Sequence, residues 1–440
     1  MIKIQLAKLL GIPVLVLFFL QAHFVLAAND SYSQLSVGRT PKINPTFFGI
    51  HIHRLVLSDG EQRQQTDWPN DGIGALRLWD STVRWADIAP APGEWNFSRF
   101  DTYVNQAIKH HAEILYVLGS PPKWASSRPD EPCPYGVGCA APPSDMGLWE
   151  EYVRRVAQRY RGKIAAYELW NEPFFTELKS KKGSSDFFYG SVVQMVELAR
   201  VARKVLDQTD PKALLVSPGF TGNINQLELF LSSGGNRYVQ VIAYHFYASD
   251  TRDFARELAE VRAVMKRQGV QNLPLWNTET GIEVPSNDKQ LAAGVHRMNR
   301  YDAASRMAQF ITIGAVGGVS RYYYYAWDND NSGMLSAQGT RYPAWDGFEK
   351  MQAWLSGATM QGCEAIASDG VRCDGDLNGQ HFAIAWAAKE SPQVIRTPEG
   401  LKLLSSERLF ALKRQTVSPS TLADGLMIGP EPTKVVFGPK

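Results

Sequence analysis

Two glutamates, Glu172 and Glu279, each follow a short apolar segment, and they lie far apart in the chain. Glu172 ends the run Tyr-Glu-Leu-Trp-Asn-Glu and precedes Pro173, which cannot donate to a strand ladder and therefore stops a strand. Glu279 is placed similarly in Leu-Trp-Asn-Thr-Glu-Thr-Gly. Hydrolysis of a glycosidic bond with retention needs two carboxyl groups, one as nucleophile and one as acid and then base. The alternative is that each glutamate is a helix cap or an ion-pair partner.

The neighbours of the two glutamates indicate how their pKa values would separate. Two carboxyl groups serve as acid and nucleophile only if their surroundings differ. Two phenylalanines follow the Glu172-Pro173 pair, and we expect partial desolvation to keep Glu172 protonated. Donors such as Arg77 and Tyr247 should keep Glu279 ionised.

The alternation of side chains along a strand predicts two further inward-facing charged residues, a glutamate and an arginine. Alternate residues of a strand face the same side, so Glu168, four positions before Glu172, and Arg77, near the end of an earlier apolar segment, should both face inward. A buried glutamate needs a partner. We expect Arg77 to pair with Glu168.

Histidines also stand at strand ends. His245 shares a face with Tyr247, which is placed to donate to the nucleophile, and His51 shares a face with His53. We assign His245 to the site, whereas His53 fits a structural role equally well. Three histidines at strand ends could suggest a metal, but cleavage by paired carboxyls needs none. Neither a metal nor a cofactor is therefore predicted.

Several of the 12 tryptophans fall at strand ends or in the loops that follow, with Trp79, Trp124 and Trp327 as the main examples. Aromatic faces stack on the apolar faces of sugar rings, although large aromatics also simply fill cores. We assign Trp124 and Trp327 to substrate binding, and Trp170 and Trp354 to the core.

The elements that must position these residues are eight short apolar segments separated by helical stretches. The predicted strands are 47–53, 75–80, 113–120, 165–171, 213–218, 239–246, 274–278 and 322–327. Amphipathic helices are predicted at 100–110, 148–161, 188–206, 253–268 and 297–313. Strand and helix repeated eight times predict a (β/α)8 TIM barrel of the α/β class over 40–357. A doubly wound sheet is the alternative, but no glycine-rich phosphate fingerprint follows any strand.

The pattern changes after about residue 357. Short strand-like runs at 381–387, 401–403, 409–413, 426–428 and 434–437 alternate with turn residues. We predict a small C-terminal antiparallel β-sandwich domain over 358–440, with a possible further strand from 31–37.

The overall composition suits an exported enzyme. A net charge of +2 with dispersed Lys and Arg argues against a nucleic-acid partner. Residues 1–27 have the basic start, apolar core and small-residue end of a signal peptide. The alternative is a retained anchor, but the apolar run is short for a bilayer span. We expect a periplasmic or secreted protein without a stable membrane span, and a monomer.

Four cysteines fit an oxidising compartment. Cys133 lies near Cys139, and Cys363 lies near Cys373, which suggests two local disulfides. Other pairings stay open. A metal site is the alternative, but the spacings match no common zinc pattern.

These motifs resemble clan A retaining glycoside hydrolases. The resemblance rests on Glu-x-Trp-Asn-Glu-Pro at 168–173, His-x-Tyr at 245–247 and Thr-Glu-x-Gly at 278–281. Within the clan, family 39 is most similar, through the segment 85–97 and Phe-Gly at 48–49. Family 5 shares most of these residues.

The resemblance implies Glu172 as acid/base and Glu279 as nucleophile, with Asn171 bonding the sugar hydroxyl beside the reacting carbon. The expected activity is endo-hydrolysis of an exported or cell-surface polysaccharide. Alternatives are an exo-acting β-xylosidase, a family 5 cellulase-like enzyme and a carbohydrate-binding barrel without turnover.

Overall fold

The computed structural model describes residues 38–440, together with Tyr32 and Leu35. Gaps in this range fall at 58–59, 61–62, 70–71, 179–186, 285–297, 330, 367–369, 389–392, 412–414 and 417–424. The predicted signal peptide 1–27 and most of the predicted strand 31–37 lie outside the described residues. Among those described, no helix has both the length and the apolar character needed to cross a membrane.

Eight strands of one parallel sheet follow one another along the chain. They are β1 (Phe48–His51), β2 (Ala75–Leu78), β3 (Glu113–Val117), β4 (Ala166–Glu168), β5 (Leu214–Val216), β6 (Ile242–His245), β7 (Leu275–Thr280) and β8 (Val319–Tyr324). Their order in the sheet is β6-β7-β8-β1-β2-β3-β4-β5, and Phe220–Thr221 adds a ninth strand beside β6. The first and last strands are thus neighbours. This order is consistent with the predicted (β/α)8 fold and differs from that of a doubly wound sheet.

Helices lie between these strands and after the last of them. They are α1 (Trp85–Ile88), α2 (Ser98–Lys109), α3 (Met146–Arg159), α4 (Val192–Thr209), α5 (Ile224–Ser232), α6 (Thr251–Arg267), α7 (Arg300–Val316) and α8 (Pro343–Leu355). The predicted helix 188–206 is wrong at its start, where Phe188–Gly190 is a strand. Ser191 accepts from the N–H of Gln194 in a capping box, so the helix begins only after it.

The inner face of the sheet changes character along the strands. A large apolar cluster fills the space between sheet and helices. A smaller, separate cluster lines the other face, formed by Ala75, Leu115, Ala166, Val216, Val241, Ala243, Trp276 and Tyr323. Arg77 and Glu168 lie two residues beyond Ala75 and Ala166, so they share this inner face. Apolar side chains therefore give way to charged ones at the carboxyl ends.

After α8 the chain forms antiparallel sheets. The strands are β9 (Thr359–Ala365), β10 (Val371–Leu377), β11 (Gln380–Trp386), β12 (Gln393–Ile395), β13 (Leu401–Arg408), β14 (Gln415–Thr416), β15 (Leu426–Ile428) and β16 (Thr433–Pro439). Six of them pair in the order β9-β10-β11-β16-β13-β14, and β12 pairs with β15. Ile395 and Ile428 of the small sheet share an apolar cluster with Leu403 and Phe437 of the large one. A C-terminal antiparallel domain is thus present, as predicted.

The predicted strand 409–413 is wrong where it is described. Leu409 and Phe410 form a turn after β13. They pack against helices around the parallel sheet: Leu409 lies against Gly347 of α8, and the Phe410 ring lies edge-on to Tyr301 in α7 at 5.1 Å. Residues 412–413 lie outside the described part of the chain.

Of the predicted N-terminal strand, only Tyr32 and Leu35 are described. Tyr32 donates its hydroxyl to Thr251 Oγ1 at the start of α6, at 3.1 Å. Where described, this segment therefore contacts the helices around the parallel sheet.

Both local disulfides are present. Cys133–Cys139 closes a loop after β3. Cys363–Cys373 joins directly paired positions of β9 and β10.

Candidate active site

The carboxyl groups of Glu172 and Glu279 meet beyond the ends of β4 and β7. With His245 they bring carboxylate oxygens and an imidazole nitrogen within 4.8 Å of one another. The Glu279 side chain is 10% exposed and that of Glu172 is 19% exposed. Two carboxyls this close and still open to solvent can act on one bond of a bound ligand.

Arg77 on β2 organises the surrounding polar groups. Its buried guanidinium donates to Glu168 Oε2 at 2.6 Å, to Glu279 Oε2 at 2.7 Å and to Asn171 Oδ1 at 2.7 Å. The expected pair with Glu168 is therefore present. Because the planar guanidinium has donors in fixed directions, it sets the positions of all three acceptors.

Glu279 reaches this network through an irregularity in β7. Thr278 Oγ1 donates to the buried Glu168 at 2.9 Å, and the next residue, Glu279, accepts from Arg77. Consecutive residues of a regular strand point to opposite faces. Here the register of β7 against β8 shifts between 277 and 280, as at a β-bulge. The irregularity lets both side chains face the site.

Both oxygens of Glu279 accept hydrogen bonds. Tyr247, which follows β6, donates its hydroxyl to Oε1 at 2.8 Å, while Arg77 holds Oε2. Tyr247 is 44% exposed. Its ring therefore offers an accessible aromatic surface directly beside the carboxyl pair.

Glu172 has a left-handed backbone with φ of 42°, which is uncommon outside glycine and concentrates at functional sites. Its Oε1 lies 2.9 Å from His245 Nδ1. Gly219 accepts from the Glu172 amide at 2.9 Å. A Cβ on Gly219 would lie 2.3 Å from His245 Nε2 and 2.4 Å from Glu168 Oε1. Only glycine allows this close approach.

Neighbouring charges shift the pKa of His245. Burial disfavours the imidazolium, but the charge of Glu279 and the contacts with Glu168 and Glu172 outweigh it and raise the pKa of His245 to about 9. The Nε2 atom lies 3.8 Å from Glu168 Oε1. That is too long for a hydrogen bond, so this contact is electrostatic. His245 is therefore cationic at neutral pH.

The buried carboxyls respond differently to the same surroundings. Burial raises the pKa of Glu279, Glu172 adds to the rise, and His245 and Arg77 oppose it. Burial acts in the same direction on Glu168, but Arg77 and His245 outweigh it and hold the pKa of Glu168 below its usual range. The expected donors to Glu279 are present, whereas the upward shift from its depth of burial was not expected.

The grouping of Glu172, His245 and Glu279 has the spacing of a cation site, but its chemistry fits poorly. A histidine ligand must be neutral, and the raised pKa keeps His245 protonated. Arg77 and Tyr247 already donate to both oxygens of Glu279. These three side chains are therefore better suited to hydrogen bonding than to coordination of a metal ion.

Two tryptophans assigned to substrate binding have contacts elsewhere. Trp124 donates its indole N–H to the Ala89 carbonyl at 2.9 Å and lies edge-on to buried Trp85. Trp327 is only 4% exposed and lies edge-on to Trp345 of α8 at 4.9 Å. The assignment to stacking is wrong for Trp327, because a buried ring has no free face to offer a sugar.

His53 lies at the rim of the site. Its ring centroid is 5.0 Å from that of Tyr325, and its backbone amide donates to Asp328 Oδ1 at 2.8 Å. The side chain is 9% exposed, and Nε2 is buried with no hydrogen-bond partner among the described residues.

Sequence reasoning missed a polar group beside the pair. Asp80, just past β2, accepts from the hydroxyls of Tyr325 at 2.5 Å and of Tyr135. The charges of both Asp80 and Glu279 act on Tyr325, and burial together with these charges raises its pKa. Asp80 and Tyr325 do fall at the ends of predicted strands, a signal that could have found them.

No protein-family model and no curated protein matches this sequence. Solved structures do match its fold. A family 39 glycoside hydrolase from the gut symbiont Bacteroides cellulosilyticus WH2 has a TM-score of 0.66 at 16% identity, over 91% of this chain and 83% of its own. A family 30 endoxylanase from Clostridium papyrosolvens C71 gives 0.61 at 13% identity, over 92% and 98%.

A family 39 enzyme from Xanthomonas axonopodis pv. citri also matches, with a TM-score of 0.58 at 15% identity, over 91% of this chain and 96% of its own. The chain has the fold of glycoside hydrolases. The resemblance to families of this clan is thus confirmed at the level of fold.

Proposed function

We propose that this chain is a retaining glycoside hydrolase. The observation that carries the proposal is the approach of Glu172 and Glu279, whose carboxyl oxygens lie within 4.8 Å. Retaining enzymes keep their two carboxyl groups about 5–5.5 Å apart, whereas inverting enzymes need roughly 6.5–9.5 Å to admit a water. The proposal includes closure of the parallel sheet into a (β/α)8 barrel. An isolated parallel bridge supports this closure, because it joins Val216 at the end of β5 to Val241 just before β6.

In this mechanism Glu279 is the nucleophile. Hydrogen bonds from Arg77 and Tyr247 hold its carboxylate in place. Attack on the anomeric carbon forms the glycosyl-enzyme bond as the bond to the leaving oxygen breaks. The desolvated carboxylate gains reactivity from the burial that raises its pKa.

Glu172 is the acid and then the base. It gives its proton to the leaving oxygen in the first step and removes a proton from water in the second, which breaks the glycosyl-enzyme bond. His245, bonded to Glu172 Oε1, orients this carboxyl.

Asn171 binds the sugar beside the reacting carbon. Arg77 holds its Oδ1 at 2.7 Å, which leaves the amide Nδ2 as the donor to a sugar hydroxyl. Such bonds strengthen in the transition state.

The substrate is an exported or cell-surface polysaccharide cleaved internally by a secreted or periplasmic enzyme. The accessible ring of Tyr247 supports an open groove. Exo-action like that of a β-xylosidase, or cellulase-like action, is the second candidate. A binding barrel without turnover is disfavoured by the presence of both carboxyls.

Incubation with purified neutral and acidic polysaccharides, alongside aryl glycosides, tests the proposal. Oligosaccharides released from a polymer without cleavage of aryl glycosides indicate endo-action. A 2-fluoro glycosyl inactivator should label Glu279, as read by peptide mass spectrometry. Labelling of another residue, or inverted configuration of the first product, would refute the mechanism.

A further inference from the structure

The loop closed by Cys133–Cys139 carries a tyrosine into the candidate site. Two short strands, Pro132–Cys133 and Gly136–Val137, form a hairpin that the disulfide closes, and Tyr135 lies at its turn. The Tyr135 hydroxyl donates to Asp80 beyond β2. A loop far from β2 in sequence is thereby tied to the end of that strand.

The Tyr135 ring is held on several sides. The Arg84 guanidinium lies 3.7 Å from its centroid. Phe187 stacks on it at 5.5 Å, and Trp79 meets it edge-on at 5.6 Å. These contacts occupy the ring, so its hydroxyl is the part that acts on the site.

Asp80 is fixed from two sides by tyrosines. Tyr135 donates to Oδ1, and Tyr325 donates to Oδ2 at 2.5 Å. An ionised carboxylate offers roughly four acceptor positions, so two hydroxyl donors leave room for about two more. The Asp80 side chain is half-buried, with part of it open to solvent.

Asp80 lies close enough to the carboxyl pair to influence it. Burial is the main cause that raises the pKa of Glu279, and the charges of Glu172 and Asp80 add to it. Asp80 also follows Arg77 by three residues, and Arg77 donates to Glu279 Oε2 at 2.7 Å. The charges of Asp80 and Glu279 both act on Tyr325, which donates to Asp80. Asp80 therefore adjoins the space in which a ligand of the pair would lie.

We propose that Asp80 is a specificity-determining residue that accepts hydrogen bonds from hydroxyls of a neutral sugar, and that Tyr135 is the residue that positions it. This inference rests on the proposed glycoside hydrolysis and names its substrate class. A carboxylate repels a like charge placed against it. The subsite therefore takes a sugar with free hydroxyls and rejects a uronic acid.

The test compares neutral polysaccharides with the same polymers oxidised at C6 to uronates. The wild type should cleave at least one neutral polymer and cleave its oxidised form at least tenfold less efficiently. Asp80→Asn should lower kcat/KM for the neutral polymer by about 10- to 100-fold, in the range of one lost charged hydrogen bond or two neutral ones. The ratio of kcat/KM for the neutral polymer to kcat/KM for the oxidised polymer should also fall several-fold in Asp80→Asn.

Tyr135→Phe separates positioning from folding. It keeps the ring that Arg84 and Phe187 contact and removes only the hydroxyl. We expect KM to rise about threefold to tenfold with kcat nearly unchanged and with an unchanged melting temperature. Cys133→Ser with Cys139→Ser should move KM in the same direction. The control is Tyr160→Phe, because the Tyr160 hydroxyl donates in the same way to an aspartate, Asp101 of α2, at 2.9 Å; its kinetics should not change.

The failures are distinguishable. A wild type that cleaves no polymer refutes the proposed function and this inference with it. An active wild type whose Asp80→Asn and Tyr135→Phe variants keep its KM and its preference for neutral polymer overturns the inference alone.

Discussion

The parallel sheet and the C-terminal antiparallel sheet differ in the side chains that they bury. At the carboxyl ends of the parallel sheet, Arg77, Glu168 and His245 are fully buried. The core shared by the C-terminal sheets is built from aliphatic side chains and one phenylalanine. Glu407 of that domain faces helix α8 instead, where it accepts from Lys350 at 2.8 Å and from the Trp354 indole at 2.9 Å.

This difference indicates where the chemistry lies. Desolvating a charge costs several kcal/mol per ion, and an apolar core of equal volume is often as stable. A region that only needs stability can use aliphatic packing, as the C-terminal sheets do. Buried charges at the strand ends therefore point to chemistry there.

The largest expected effect is on activity and comes from the parallel sheet. Glu279→Gln should lower kcat by at least about 10⁴-fold, as loss of a covalent nucleophile does in other enzymes. The melting temperature should stay close to that of the wild type, because the amide oxygen can accept from Arg77 while the amide NH2 group donates to the Tyr247 hydroxyl oxygen. Steady-state kinetics on the cleaved polymer, with calorimetry, measure both. If Glu279→Gln were fully active, the buried charges of the parallel sheet would no longer indicate where the chemistry lies.

Glu168→Gln should chiefly reduce stability. Removing one partner of a buried ion pair costs about 3–5 kcal/mol, and Arg77 would lose its strongest acceptor. Urea unfolding measures the change in free energy. Glu113→Gln is the matched control, since its pair with Arg321 is 44% exposed on the Glu113 side and should cost less than about 1 kcal/mol. Equal losses in the two variants would show that burial of the pair has no special role.

The next effect is pH-dependent. The pKa of His245 is raised from 6.5 to about 9 in the folded chain. The contribution of protonated His245 to the free energy of unfolding is therefore complete below pH 6.5. It is lost as the pH rises to about 9, and the loss is on the order of 3 kcal/mol. Unfolding free energies measured across this window should fall in the wild type. They should fall less in His245→Gln, and identical slopes would contradict a cationic His245.

The smallest effect belongs to the C-terminal domain. Cys363→Ser with Cys373→Ser opens a short loop and should cost about 2–3 kcal/mol of stability. Because the core of this domain carries no site residue, kcat and KM should not change. Calorimetry and kinetics on the same preparation check both. A loss of activity at a temperature where the chain stays folded would place this domain in the function.

Much of the fold could be predicted from the sequence, because short apolar segments between amphipathic helices occur only in a few architectures. The carboxyl pair followed from residue type and strand ends. Trp327 was misassigned because a tryptophan at a strand end can face either the cleft or the helices, and sequence does not reveal which side is covered. Asp80 was missed because its partners, Tyr135 and Tyr325, come from segments far from it in the chain.

The sequence by itself determined which groups stand at strand ends, and thereby the kind of chemistry proposed for Glu172 and Glu279. The tertiary structure decided how they meet. The irregularity in β7 turns Glu279 toward Arg77, and the bare Cα of Gly219 admits His245 beside Glu168. These arrangements depend on contacts between segments far apart in the chain, which no local pattern encodes.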